Sequence, residues 1–278
     1  MTEARRLLCV LAHPDDESLG VGGILARYAA EGVATYLITA TRGEHGWQGD
    51  PDANPGPQAL GRMREAELRA AARVLGIRGV RLLGYADGAV DQVDSAVAIA
   101  AITRHIRQLQ PQVVVTFGPD GATGHPDHIA ISQFTTAAIV CAADLSYQAA
   151  HNWPSHRVSK FYYLATSRER LAAYDAVFGE SAMTVDGVKR SISGWPSWAI
   201  TTHIDSAAYW RQVWQAIGCH QSQLPGYVAL AQLPEAQHRE LWGVQEFFRV
   251  FSLAQSGAGV EQDVFAGLSS DMNARNVG

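Results

Sequence analysis

Leu7-Leu8-Cys9-Val10-Leu11-Ala12-His13-Pro14-Asp15-Asp16-Glu17-Ser18 is an apolar run that stops in a turn carrying one histidine and three acids. A short, continuous apolar run bounded by a Pro-containing turn reads as a strand buried on both faces. The same grammar returns later, where Val113-Val114-Val115-Thr116-Phe117 leads to Gly124-His125-Pro126-Asp127-His128. In an open parallel sheet, loops converge and ligands bind at the strand ends. The two His-Pro-Asp units are therefore expected to face each other in one site.

Working outward, strand and helix patterns alternate. Gly22 to Glu31 reads as a helix closed by Gly32, and Ala34 to Thr41 as a second strand. A polar, Pro/Gly-rich loop runs to about residue 59. The stripe of Leu60, Met63, Leu68, Ala71, Ala72 and Leu75 then marks an amphipathic helix stopped by Gly76. Val80 to Leu83 is a short strand. Ser95 is expected to cap a helix reaching Gln110, and another helix is expected over Ile129 to Ala143. Beyond it, Phe161 to Ala165, Ala199 to Ile204 and Glu246 to Ser252 read as strands, and Asp205 as the cap of a helix from Ser206 to Ile217. The expected fold is α/β: a Rossmann-like, mostly parallel sheet with helices on both faces and a less regular C-terminal part. We read residues 1–278 as a single domain: a core over 5–145, C-terminal strands, a helix and pocket loops over 146–255, and a tail over 256–278.

Composition narrows the partners. With 22 Lys and Arg against 27 Asp and Glu, the net charge is −5 and no basic block occurs, which argues against nucleic acid. The longest apolar stretch, around residues 137–143, is far short of the roughly 20 residues of a membrane span. The first residues lead into a strand and not into a signal-peptide core. Cys9, Cys141 and Cys219 sit in apolar or helical contexts and form no disulfide framework. A cytoplasmic protein is expected. Self-association is left open.

The chemistry lies in the two motifs. His13 and Asp16, three apart on one turn, together with His128 make a three-ligand set with a position left for water, as in catalytic zinc sites. Asp15 then lies beside the metal, free to deprotonate that water, whose pKa falls to about 7 on binding. His125 is placed as the electrophile facing a substrate carbonyl. Asp127 is expected to hold its imidazole in one tautomer and favour imidazolium. This combination suits amide hydrolysis. The competing readings are acids that merely complement a helix N-terminus, and a structural metal. Iron(II) accepts the same ligand set as zinc.

Other residues carry weaker signals. Glu44 follows the second strand and can reach the same face, or is a solvated loop charge. Arg64 and Glu67 form an i, i+3 pair that is also an ordinary surface ion pair. Asp87 stands in an Asp-Gly turn. His220 reads as lining a pocket, whereas Cys219 has nothing to activate it as a nucleophile. His105 and His203 read as structural. Trp153, Trp195 and Trp198 lie in loops, where they stack on a sugar or pack against protein. Gly20-Val21-Gly22-Gly23 lacks the G-x-G-x-x-G spacing, and three acids occupy the turn where a pyrophosphate would sit, so a dinucleotide is excluded.

The paired signatures resemble those of the LmbE-like zinc deacetylases, the family that includes the phosphatidylinositol-glycan de-N-acetylase. Ala12-His13-Pro14-Asp15-Asp16-Glu17 is similar to its first signature and Gly124-His125-Pro126-Asp127-His128 to its second, with His220-Gln221-Ser222-Gln223 similar to a His-x-Ser-Gln element. The resemblance implies zinc on His13, Asp16 and His128, Asp15 as general base and His125 on the oxyanion. It also implies that Glu44, Arg64 and Asp87 help bind substrate. The implied partner is a small N-acetylated amino sugar or glycoconjugate, and the implied reaction is zinc-dependent removal of its acetyl group. Relatives of the mycothiol branch carry Tyr where this chain has Thr123. Two alternatives are an amidase releasing a larger acyl group and a sugar-binding protein with a vestigial metal site.

Overall fold

The computed structural model describes residues 4–148, 153–178, 182–185, 187–192, 194–254 and 259–268. The first part of the chain alternates as expected: β1 (Arg6–Leu11), α1 (Asp16–Leu19), α2 (Gly22–Ala30), β2 (Ala34–Thr39), α3 (Pro57–Leu75), β3 (Gly79–Leu82), α4 (Ser95–Leu109), β4 (Val113–Phe117), α5 (Gly121–Gly124), α6 (Pro126–Ala143) and β5 (Lys160–Ala165). It continues with α7 (Arg168–Phe178), β6 (Ala182–Val185), β7 (Val188–Ser191), β8 (Thr202–Asp205), α8 (Trp210–Ile217), α9 (Val228–Ala231), α10 (Glu235–Gly243) and β9 (Val244–Ser252).

Seven strands form one sheet in the order β3-β2-β1-β4-β5-β9-β8. The first five run parallel, and β9 and β8 add antiparallel at the β5 edge. The mostly parallel α/β sheet is therefore present. β1 is central, with Leu8 in register with Tyr36 on one side and Val114 on the other. Burial on both faces explains why β1 and β4 are unbroken apolar runs. The strand order reverses between β1 and β4, which opens a crevice at their C-terminal ends. Both His-Pro-Asp units open onto that crevice.

Local differences from the sequence reading have physical causes. α6 starts at Pro126, not at Ile129, because proline fits a first helical turn and the His125 ring accepts a hydrogen bond from Asp127 N at 3.1 Å. The second motif is thus the first turn of a helix, not a loop. Asp94, not Ser95, caps α4, its Oδ1 accepting from Ala96 N at 2.8 Å. After Asp205 the chain first makes a 3₁₀ turn, and α8 begins only at Trp210. α7, the β6–β7 hairpin and α10 carry too little apolar periodicity to be marked in the sequence. Residues 259–268 are no tail, since Val264 and Phe265 are buried in the main core. Glu261 anchors them by pairing with Lys160 and accepting from the Tyr162 hydroxyl at 2.5 Å. The remainder of the expected tail lies outside the described residues.

The packing of α2 yields a test. A Cβ on Gly23 would lie 2.7 Å from the Cβ of Ser206, whose buried hydroxyl donates to Trp242 O at 2.8 Å. We expect Gly23→Ala to destabilise the protein by about 1–3 kcal/mol despite the better helix propensity of alanine. Denaturant unfolding checks this, and an unchanged midpoint would show that the contact can relax freely.

Candidate active site at the β1–β4 crevice

β1 ends in a tight turn closed by Asp16, whose Oδ2 accepts from Ala12 N at 3.1 Å and His13 N at 2.7 Å. This fixes the carboxylate beside the His13 ring. From the other side of the crevice, α6 delivers His128, stacked on Phe117 at the end of β4 with ring centroids 4.0 Å apart.

Hydrogen bonds settle the tautomers of both rings. His128 Nδ1 lies 3.0 Å from the Gly121 carbonyl, which can only accept, so Nδ1 carries the proton and Nε2 is left as a lone pair. His13 Nε2 faces Asp127 Oδ2 and Asp87 Oδ1, each at 3.1 Å, so Nε2 carries a proton and Nδ1 is the nitrogen turned to His128. His13 Nδ1 and His128 Nε2 are 3.1 Å apart. Asp16 Oδ2 lies 3.8 Å from His13 Nδ1, and its Oδ1 lies 3.6 Å from His128 Nε2.

A proton on His13 Nδ1, or a metal ion in its place, supplies the positive charge that these two nitrogens and the carboxylate call for. Tetrahedral zinc with bonds of about 2.0–2.1 Å needs ligand–ligand edges of about 3.3 Å. The nitrogen–nitrogen edge is close to that value and Asp16 turns one oxygen towards each ring, so these residue types can hold a metal ion. Burial pulls the His13 pKa down, yet Asp127, Asp87 and Asp16 outweigh it and hold it at about 10, so a metal ion bound here would displace a proton from Nδ1. Burial and the neighbouring His13 push His128 well below its usual range.

Two triples, His13–His125–His128 and His13–Asp87–Asp127, bring one ligand atom each within 4.8 Å of one another. Their spare members are already engaged. Asp127 is fully buried and accepts from Gly88 N at 2.8 Å and Val90 N at 3.0 Å. Asp87 accepts from His45 N at 3.0 Å. Both carboxylates therefore orient the His13 ring, as carboxylates do behind metal-binding histidines in general. Despite the burial, contact with His13 holds Asp87 below the usual carboxylate range.

This corrects the expected role of Asp127, whose carboxylate serves His13 and not His125. The His125 tautomer is set instead by a backbone amide: Nδ1 accepts from Asp127 N, which leaves Nε2–H as a donor. Burial and the His13 charge lower its pKa, which works against the expected imidazolium.

Asp15 has φ 112°, a backbone region that asparagine and aspartate tolerate better than other side chains. Its amide donates to Glu17 Oε2 at 3.0 Å. Arg64 Nη2 reaches Asp15 Oδ2 at 3.1 Å and Pro14 O at 2.5 Å. Burial pushes the Asp15 carboxyl up to about 6 against the pull of Arg64.

The expected substrate contacts divide. Arg64 is buried and spends its guanidinium on Asp15, Pro14 and the Gly43 carbonyl, so it braces the Asp15 turn. Gly43, at φ 64°, leaves no room for a Cβ beside it. Asp87 braces His13. His220 does not line a pocket: it is fully buried against Glu17, 2.7 Å away. Only Glu44 keeps the expected free end, with Oε1 accepting from Asp87 N at 3.0 Å and a buried Oε2 that has no partner among the described residues. Glu67 turns from the Arg64 pair to Ser222, accepting from its N at 2.8 Å and its hydroxyl at 2.7 Å.

Sequence reasoning missed Tyr227, whose hydroxyl lies 3.1 Å from Asp15 Oδ2. No local pattern marks it. Trp195 packs on Phe248 and donates to Asp120 Oδ2 at 3.1 Å, whereas Trp198 is exposed.

Comparison with known proteins decides the family. The 1D-myo-inositol 2-acetamido-2-deoxy-alpha-D-glucopyranoside deacetylase of Kineococcus radiotolerans is 32% identical, across 97% of this chain and 84% of that protein. Residues 8–139 match the PIG-L family, GlcNAc-PI de-N-acetylase. The chain belongs to the PIG-L family. Among solved structures, the conserved protein TT1542 of Thermus thermophilus is 26% identical, with a TM-score of 0.63 over 90% of this chain and 96% of that one. The N,N'-diacetylchitobiose deacetylase of Pyrococcus horikoshii has a TM-score of 0.64 over 89% of this chain and 84% of that one. At 18% identity it shares the fold. Both signatures of this PIG-L chain lie within the matched span. No helix among the described residues is long and apolar enough to cross a membrane.

Proposed function

We propose that this chain is a zinc-dependent N-deacetylase that hydrolyses the acetamide of an N-acetylglucosamine unit in a small glycoconjugate, such as the GlcNAc–inositol named for its relatives. One observation carries this reading: a buried base, Asp15, and a hydrogen-bond donor, His125, flank the converging donors of His13, Asp16 and His128. When bound, the metal supplies Lewis-acid polarisation of the acyl oxygen and acidifies a water. Asp15 takes the proton of the attacking water and delivers it to the leaving nitrogen. His125 Nε2–H faces the oxygen on which charge develops, a contribution often worth about 10²–10³ in rate per donor. Glu44 Oε2 accepts from a sugar hydroxyl. The three free cysteines fit a reducing compartment, and we place the protein in the cytoplasm.

The test is elemental analysis of wild type and His128→Ala side by side, followed by an amine-release assay on N-acetylglucosamine, its inositol glycoside and N,N'-diacetylchitobiose. We expect about one zinc per chain in the wild type, loss of most of it in the variant, and amine with acetate from at least one substrate. Wild type that binds no metal after reconstitution would sink the proposal.

A second reading has one supporting observation. A cavity of about 250 Å³ adjoins Ala122 and Thr123, walled by Leu164, Leu171, Trp195 and Trp242. It offers room for an acyl group larger than acetyl. Faster release of hexanoate than acetate from matched glucosamine amides would favour an amidase.

A further inference from the structure

Asp15 is reached from the far end of the chain as well as from its own turn. Its Oδ2 takes two donors, Arg64 Nη2 and the Tyr227 hydroxyl, each at 3.1 Å. Its Oδ1 has no hydrogen-bond partner among the described residues. Tyr227 ends a short 3₁₀ turn, Leu224–Tyr227, and its ring packs at the edge of a second apolar cluster formed by Trp210, Val213, Ile217 and Trp242.

The segment before Tyr227 is anchored three times to the elements that carry the site. His220 Nε2 lies 2.7 Å from Glu17 Oε1, Ser222 donates twice to Glu67, and Gln223 Nε2 donates to Gly46 O at 2.9 Å. These anchors set where the tyrosine arrives. Its hydroxyl bonds to the base.

We propose that Tyr227 is the positioning residue of Asp15, a role that rests on the deacetylase reading. An aspartate's terminal torsion is broad and nearly two-fold, so a carboxylate held by one donor can rotate and exchange its oxygens. With Arg64 and Tyr227 both donating to Oδ2, the carboxylate plane is fixed and Oδ1 is the oxygen presented to the crevice. The water's proton then passes to Oδ1 as its oxygen bonds to the acyl carbon. The same proton leaves Oδ1 for the nitrogen as the C–N bond breaks, so the carboxylate is regenerated. Tyr227 keeps its own proton throughout.

The test is Tyr227→Phe, which keeps the ring and removes only the hydroxyl. We expect kcat to fall about 10- to 100-fold, the scale of a small misplacement of a reacting group, with KM within about two-fold. Metal content and Tm should stay at wild-type values, because the ring still fills its cluster. A kcat within about two-fold of wild type overturns the proposal. So does a kcat loss accompanied by metal loss or a large fall in Tm, which would make the role structural. A crystal structure of the variant reads the same point without turnover. The Asp15 carboxylate is expected to rotate about its terminal torsion, and an unmoved carboxylate counts against the proposal. Wild type that releases no amine from any substrate fails the deacetylase reading instead, and the crystallographic comparison still decides whether Tyr227 fixes the carboxylate.

Discussion

Asp15→Asn is expected to lower kcat by about 10²–10⁴-fold while leaving the metal bound, the range that a positioned general base supplies. The substitution is isosteric, and asparagine tolerates the φ of 112° at this position, so the turn keeps its shape. The amide oxygen can still accept from Arg64 and Tyr227 in place of Oδ2. What is lost is the basic oxygen facing the crevice, since an NH₂ group there can accept no proton. Asp15→Ala is a poorer test, because alanine tolerates that φ less well and leaves the buried Arg64 guanidinium without its carboxylate. Single-turnover rates and elemental analysis on the same preparation decide the matter. A variant that keeps metal and near-normal rate removes Asp15 from the base role and leaves it as the partner of Arg64.

His220→Ala should be the most destabilising single change at the site. Both members of the Glu17–His220 pair are fully buried, and Glu17 also accepts from the Ser18 hydroxyl at 2.6 Å and from Asp15 N. Removing the imidazole leaves a buried carboxylate without its cation, at a cost of about 3–5 kcal/mol. For a domain of this size that is a fall in Tm of roughly 6–20 °C. Glu17 carries the amide of Asp15, so kcat should fall as well.

The pair also fixes a pH window. Contact with Glu17 outweighs burial and raises the His220 pKa above its ordinary 6.5, so its contribution is full below that value and is lost as pH rises through the raised one. Contact with His220 outweighs burial and lowers Glu17 below its ordinary 4.5, so its contribution is present above that value and is lost as pH falls through the lowered one. The Tm difference between wild type and His220→Ala should therefore be widest between pH 4.5 and 6.5. A difference that is flat with pH would mean the pair is not ionic.

The alternation of apolar runs and amphipathic stripes was enough to place β1, β2, β4 and α3, because a strand buried on both faces admits little but apolar residues and a core-facing helix repeats every 3.6 residues. The His-Pro-Asp units at the ends of β1 and β4 were legible for the same reason, since strand ends at a switch point are where ligands bind. Their family membership could be read from the same residues. The late elements were hardly legible. β7 reads Val188-Lys189-Arg190-Ser191 and is largely exposed, so neither face imposes a pattern on it.

Tertiary structure alone decided the partners of each polar group. Asp127 and His125 are two residues apart, yet the carboxylate turns to His13 because loop 87–90 brings its amides to Asp127 and Asp87 to the same ring nitrogen. Arg64 looked like a surface ion pair with Glu67 and is instead buried under Asp15, because α3 packs that face against the β1 turn. Tyr227 meets Asp15 across 212 positions. Burial drives most polar groups to find a partner, and which partner is in reach depends on how distant segments meet, which no local spacing encodes.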